Sequence, residues 1–228
     1  MNAPSQLTNA RMLQDLVLTK KKDLADAVSN YIRAEGRSPE FILGYQTTAL
    51  TVPGAKLSKC RVLNDRSQIL KEMPDRGVVA EIGTQTGAFA KRILDARPNV
   101  TLFTIDIDYS QFSFDILRPY IDNNRLKTIE GTSWVELAKF PNDFFSWVYL
   151  DASHFIDHVR LDLESTKLRV EVDGYIVCND YTVWSPFEAQ PYGVLQAVNE
   201  FLLKEDFYAS HFALHPFGYH DIALRRCS

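Results

Sequence analysis

Between residues 78 and 179 the chain alternates short apolar runs with helical segments, and this alternation constrains its fold more than any other feature. The runs at 78–82, 100–106, 126–130, 145–151 and 174–179 are predicted strands. They are continuously apolar rather than alternating, the pattern of strands covered on both faces of a parallel sheet. Helices are predicted between them at 88–96, 110–120, 133–139 and 154–170. Such β–α repetition with right-handed crossovers winds into an α/β, doubly wound parallel sheet.

The ends depart from this rhythm. A helix predicted at 191–204 carries a stripe of Val194, Leu195, Val198, Phe201 and Leu202. Strand-like runs follow at 207–214 and 219–225, joined only by His215-Pro216-Phe217-Gly218. So short a joint forces an antiparallel hairpin, because a parallel return needs a long crossover. At the other end, residues 6–34 repeat apolar residues at helical spacing, with the Lys20–Lys22 run on a solvated face. Gly36, Pro39, Gly44, Pro53 and Gly54 break up the stretch to residue 58, and 64–73 reads as a short helix. The division expected is therefore an N-terminal helical extension with a lid-like loop (1–63) and a ligand-binding domain (64–228).

Composition narrows the partners. Hydrophobic residues make up 46% of the 228, enough for a sizeable core, and the formal net charge is −4. That balance gives no electrostatic reason to expect nucleic acid or an anionic membrane. No apolar run reaches the roughly 18 residues that span a bilayer. The first residues lack the apolar core of a secretion signal. Three cysteines without a CxxC pair argue against a disulfide frame and for a reducing cytoplasm.

The first predicted strand ends in Glu81-Ile82-Gly83-Thr84-Gln85-Thr86-Gly87 and runs into a helix. A strand–glycine turn–helix unit is where an α/β protein holds a nucleotide-like ligand. A dinucleotide site wants a glycine where Gln85 stands, to let the backbone approach the pyrophosphate, which argues against a nicotinamide dehydrogenase. Asp106 ends the second strand at the remove where a carboxylate meets ribose hydroxyls, with Asp108 the neighbouring alternative. The fourth and fifth strands end in Asp151-Ala152-Ser153-His154 and Asn179-Asp180-Tyr181. They deliver Asp151, Asn179 and Asp180 to one edge as hard oxygen ligands suited to Mg²⁺ or Ca²⁺. His154, three residues from Asp151, titrates in the range of a general base, and Asp151 or Asp180 could equally take the proton. His154 and His158 stand four apart without the H-E-x-x-H pattern, and a solvated helix face is expected for them rather than zinc.

With these residues in place, the chain from about 64 to 228 resembles the class I S-adenosylmethionine-dependent methyltransferases. Their sheet has seven mostly parallel strands and closes with a C-terminal antiparallel hairpin. Glu81-x-Gly83-x-x-x-Gly87 resembles their first motif, Glu-x-Gly-x-Gly-x-Gly, with Gln85 in place of the middle glycine. The resemblance implies cofactor contacts from Glu81, Gly83, Thr84, Gly87, Asp106 and Asp151. It also places Thr132 and Ser133 beside the adenine, where Trp134 either flanks the ring or packs inward. The Asp151/Asn179/Asp180 edge looks like the metal site of cation-dependent small-molecule O-methyltransferases. Asn179-Asp180-Tyr181, Trp184, Gly193 and Ala197-Val198-Asn199-Glu200-Phe201 look more narrowly like the macrocin/mycinamicin sugar O-methyltransferases. Asn179 and Asn199 stand where that group has aspartates.

The expectation is therefore an S-adenosylmethionine-dependent O-methyltransferase acting on a small-molecule hydroxyl. His154 and Asp151 carry the chemistry, and Mg²⁺ is held by Asp151, Asn179 and Asp180. The rival readings are a catalytically degenerate binding protein of the same fold, and a related enzyme of other chemistry such as a hydroxylase. The loops 34–58 and 182–192 are expected to set acceptor specificity. Two roles stand open for the N-terminal helix, a cap over the cleft or a homodimer surface.

Overall fold

The computed structural model describes residues 3–35 and 50–227, in two units. The first contributes a 33-residue helix, α1 (Ala3–Glu35), carrying exposed Leu13, Leu16, Val17 and Leu24 and exposed ion pairs Lys20–Asp23 and Lys22–Asp26. Most of the lid-like loop expected at 34–58 lies outside the described residues.

The second unit begins with α2 (Gly54–Leu57), β1 (Arg61–Leu63) and α3 (Arg66–Glu72), followed by β2 (Gly77–Ile82), α4 (Ala88–Ala96) and β3 (Val100–Asp106). Next come α5 (Phe114–Asp122), β4 (Leu126–Glu130), α6 (Ser133–Leu137), β5 (Phe145–Leu150), α7 (Ile156–Thr166) and β6 (Val170–Cys178). A two-residue hairpin, β7 (Trp184–Ser185) with β8 (Gln190–Pro191), precedes α8 (Val194–Lys204), β9 (Phe207–Ala213) and β10 (Asp221–Arg226).

Eight strands form one sheet in the order β1-β9-β10-β6-β5-β2-β3-β4. Only β10 runs against the others: it pairs antiparallel with β6 and β9, while every other pair is parallel. This is the expected mostly parallel sheet with its C-terminal hairpin, plus one strand. The added strand is β1, too short for a periodicity to show, which pairs parallel with β9 through Arg61–His211 to Leu63–Ala213. The sheet thus begins before residue 64, and the second unit runs from residue 49.

The reason for the continuous apolar runs is plain at β5, where all six residues are buried. Helices cover both its faces. One core layer joins Val148 and Ile176 to Leu163, Val198 and Phe201, and the other joins Trp147, Tyr149 and Val177 to Ile69 and Ile93. Four helix starts come later than the sequence pattern suggests: α3 at Arg66 rather than 64, α5 at Phe114 rather than 110, α7 at Ile156 rather than 154, and α8 at Val194 rather than 191. The α7 difference takes His154 off the helix and into the loop that follows β5.

The candidate active site

The glycine turn after β2 is closed by its own neighbours. Gly83 adopts φ +79°, and a Cβ there would stand 2.2 Å from the Asp151 carbonyl oxygen. Only glycine lets β2 and β5 end this close together. Gln85 is also left-handed, at φ +46°, so the position of the missing middle glycine keeps the backbone that a glycine prefers. The amides of Thr84 and Gln85 each donate to Asp106 Oδ2 at 2.8 Å. The Asp106 carboxylate is thus pinned across the turn, with Oδ1 taking only the Asp108 amide at 3.2 Å. Asp108 is exposed and turned to Ser110, whose amide and hydroxyl it accepts at 2.7 and 2.8 Å.

Glu81 is buried, accepting from Thr84 Oγ1 at 2.7 Å. Burial pushes its carboxyl up to about 8; the Thr84 hydrogen bond opposes this and the Asp106 charge adds to it. Thr132 caps α6 without a side-chain bond. The Ser133 hydroxyl is committed to the interior, donating to Asp162 of α7 at 2.5 Å. Burial pushes that aspartate up to about 6. Trp134 is half-buried, its ring centroid 5.3 Å from that of His158, whose Nδ1 meets Ser153 Oγ at 2.8 Å. The two histidines of the 154/158 pair have separate partners.

The edge formed by the ends of β5 and β6 and the start of β10 is assembled from distant parts of the chain. Asp151 follows β5, and Asn179 and Asp180 follow β6. His154 Nε2 lies 3.9 Å from Asp151 Oδ1 and 3.5 Å from Asp180 Oδ2, buried and without a hydrogen-bond partner. Its ring is stacked on Tyr192, centroids 4.2 Å apart and planes within 7°. That stack is fixed from behind, because the Gly193 amide donates to the His154 carbonyl at 2.8 Å. Gly193 itself lies so close to Ile156 that a Cβ would reach 2.4 Å from the Ile156 Cα. Burial holds the His154 imidazole below its ordinary value, with Glu188 pulling weakly the other way, so the ring is neutral at pH 7.

Asp151 is raised well above the carboxylate range by burial, with Asp180, Glu81 and Asp221 adding and Arg66 opposing. Burial lifts Asp180 to about 6 against the opposing charge of Arg66. Asp180 also stands at φ +53°, backbone strain of about 1 kcal/mol at a position where it aims a carboxylate.

Sequence reasoning missed three members of this edge. Arg66 reaches in from the first turn of α3. Its Nη2 lies 3.6 Å from Asp180 Oδ1 and its Nε 3.3 Å from Asp221 Oδ2. The α3 start is set by Asp65, which accepts the Ser67 and Gln68 amides at 2.8 and 3.3 Å, a cap worth about 1 kcal/mol. Asp221 opens β10, buried, and accepts the Tyr149 hydroxyl at 2.6 Å and Asn179 Nδ2 at 3.1 Å. Tyr192 supplies the stack. Of the three, only Asp221 left a trace in the sequence, as a lone acid opening an apolar strand. Arg66 and Tyr192 sit in unremarkable loop and helix-start contexts. In the terminal hairpin His211 is buried, beside Ser210 Oγ at 3.1 Å.

The expected Mg²⁺ site can now be tested against its donors. Asp151, Asn179 and Asp180 do come to one edge. Among the described residues, however, no group of three or more His, Cys, Asp or Glu side chains is disposed to hold a metal ion. Asn179 turns its amide nitrogen, not its oxygen, toward Asp221. Asp180 and Asp221 already face the Arg66 guanidinium. This donor set does not fit a divalent metal.

S-adenosylmethionine fares differently. Glu81 and Asp151, whose charged forms burial disfavours and a bound cation would favour, gather at the C-terminal edge of the sheet beside the pinned turn. Over the stack lies a pocket of about 170 Å³ between Ser153, Phe155 and Gln190. A larger open cavity of about 340 Å³ adjoins Arg66, Asp180, Phe187, Glu188, Tyr192 and Tyr219.

Comparison with known proteins bears on the fold. Residues 80–181 match the family model of a methyltransferase domain. The fold is shared with the pyocyanin biosynthetic protein PhzM, at TM-score 0.55 and 17% identity over 71% of this chain and 54% of that one. It is shared with an O-methyltransferase family protein from Burkholderia thailandensis, at TM-score 0.53 and 10% identity over 71% of this chain and 55% of that one. A third similar structure is geranyl diphosphate C-methyltransferase from Streptomyces coelicolor, in complex with Mg²⁺ and S-adenosyl-L-homocysteine. Its TM-score is 0.55 at 9% identity, over 71% of this chain and 75% of that one. The chain therefore spans little more than half the length of the first two. No curated protein matches the sequence. The fold is the Rossmann-like methyltransferase fold, and residues 80–181 are the part that matches a methyltransferase domain. No described helix is long and apolar enough to cross a membrane.

Proposed function

We propose that the chain transfers a methyl group from S-adenosylmethionine to a hydroxyl of a small molecule, with His154 as the general base. The observation that carries this reading is His154 Nε2: buried, without a hydrogen-bond partner, locked by its stack on Tyr192 and flanked by Asp151 and Asp180. A neutral imidazole held in this way has one free lone pair and one direction in which to use it.

The residues divide the work. Glu81, Asp106 and the Gly83–Gly87 turn shape the donor's corner, with Thr132 at the end of β4 beside it. When bound there, S-adenosylmethionine supplies a methyl carbon on a cationic sulfur, which departs with the carbon–sulfur electron pair as a neutral thioether. The 340 Å³ cavity takes the acceptor against Phe187, Tyr192 and Tyr219. His154 Nε2 accepts the acceptor's hydroxyl proton, and the freed oxygen pair forms the new bond to carbon. Asp180, 3.5 Å from Nε2 and lifted only to about 6, stabilises the imidazolium that results. Holding the hydroxyl in line with the methyl carbon supplies much of the rate.

The test is methyl transfer from radiolabelled S-adenosylmethionine to a panel of phenols, catechols and sugars, with calorimetry of the donor alone. His154→Ala is expected to cost 10²–10⁴-fold in kcat while donor affinity stays within about twofold. Unchanged turnover in that variant removes His154 from the mechanism. A folded wild type that ignores millimolar donor removes the whole reading and favours a degenerate binding protein.

A further inference from the structure

The Asp151/Asn179/Asp180 edge has the composition of a divalent-metal site and lacks its geometry, and one residue accounts for the difference. Arg66 enters from α3, more than eighty residues away from Asp151 in sequence. Its guanidinium reaches Asp180 Oδ1 at 3.6 Å and Asp221 Oδ2 at 3.3 Å. It packs over the Phe89 ring at 5.6 Å, and that ring lies 4.3 Å from Tyr149, the donor to Asp221. Arg66 is therefore braced on its carboxylate side and on its apolar side, and it still borders the 340 Å³ cavity.

We infer that Arg66 is the resident cation of this edge, doing the charge-balancing and acceptor-orienting work that a divalent metal would otherwise do, so that the site binds no such metal. The inference rests on the methyltransferase reading of the cavity. One observation and two physical arguments support it. Asn179 presents its amide hydrogens to Asp221, and turning its oxygen there instead would set lone pair against carboxylate. A divalent ion near Asp180 would meet a fixed positive charge within about 4 Å, a repulsion of several kcal/mol at an effective dielectric constant near 20. A guanidinium keeps its charge at every accessible pH, whereas the ammonium of a lysine would not lie flat across two carboxylates and an aromatic ring. Arg66 acts on the reaction by facing the acceptor oxygen as the proton leaves for His154, and by holding Asp180 in its strained backbone position.

Metal binding and donor binding test this separately. Mn²⁺ is titrated into the full chain and followed by electron paramagnetic resonance, and S-adenosylhomocysteine is titrated by calorimetry. Wild type is expected to bind S-adenosylhomocysteine and to leave Mn²⁺ free at 1 mM. Arg66→Met uncovers the Asp180 and Asp221 carboxylates and is expected to gain a 1:1 Mn²⁺ site, at least tenfold tighter than wild type, with S-adenosylhomocysteine affinity unchanged within about threefold. Arg66→Lys keeps the charge and gains no site. Should Arg66→Met fail to fold, Arg66→Met with Asp221→Asn removes the buried charge on both sides and carries the same expectation. A wild-type Mn²⁺ site with a dissociation constant below 1 mM overturns the inference and leaves the methyltransferase reading intact. Failure of wild type to bind S-adenosylhomocysteine overturns that reading instead.

Discussion

The two halves of the cleft satisfy their polar groups by opposite means. At the glycine turn the partners are close in sequence: Thr84 closes on Glu81, and the Thr84 and Gln85 amides close on Asp106 at the end of the next strand. At the β5/β6/β10 edge they are far apart: Arg66, Tyr149, Asn179 and Asp221 meet only because β10 is inserted between β6 and β9. The first half is a local structure that any β–α unit with these residues would approximate. The second exists only in the finished sheet. A change in the turn should therefore act on the donor, and a change at the edge should act on stability and on the acceptor.

The largest expected effect comes from Asp221→Ala, which leaves the Tyr149 hydroxyl and Asn179 amide without their shared acceptor and the Arg66 guanidinium without its nearer carboxylate. A loss of about 3 kcal/mol is expected in urea unfolding, with donor affinity nearly unchanged. A comparable loss of donor binding would show that the two halves are not separable. Gly83→Ala is next, and it is the substitution that crosses the divide, because its Cβ would collide with the Asp151 carbonyl at 2.2 Å. It should cost about 2–3 kcal/mol and weaken S-adenosylmethionine binding by at least 100-fold in calorimetry. Wild-type affinity in this variant would mean that the turn does not hold the donor.

The third effect is a pH dependence. Glu81 titrates near 8 in the folded chain against an ordinary 4.5, so the folded state holds a proton that the unfolded state releases. The stability contributed by that proton is complete below about 4.5 and is lost as pH rises through 8. Glu81→Gln carries no charge at any pH. Its melting temperature should match wild type at pH 5 and exceed it by a few degrees at pH 8, an effect of about 1–3 kcal/mol. Parallel melting curves for the two proteins from pH 5 to 8 would place Glu81 in a wetter setting than this. Smallest of all is Gln85→Gly, which relaxes a left-handed residue and should stabilise by roughly 0.5–1 kcal/mol. Loss of stability there would mean that the Gln85 side chain contributes more than its backbone costs.

Legibility followed the same division. The apolar runs located the five parallel strands to within a few residues at each end, since a doubly covered strand cannot be polar on either face. The hairpin of β9 and β10 followed from a joint too short for a crossover. The turn residues Glu81, Gly83 and Gly87 and the strand-end acids Asp106, Asp151 and Asp180 were all visible, because strand ends on a parallel sheet deliver their side chains to one edge. One strand and two residues carried too little local signal to be read correctly. β1 is three residues long, Ser133 looked like a cleft residue but is paired inward with Asp162, and His154 belongs to a loop rather than a helix.

Taken by itself, the sequence determined the sheet, its direction of winding and the edge where a ligand sits, since these depend on periodicity and on glycine and proline placement within short windows. Only the tertiary structure decided what charge that edge carries. Arg66, Asp180 and Asp221 lie in three separate segments, and no spacing rule relates them. The strand order that seats β10 beside β6 brings two carboxylates against one guanidinium, and Coulomb attraction in a buried setting then fixes an arrangement that the residue list alone presents as a metal site.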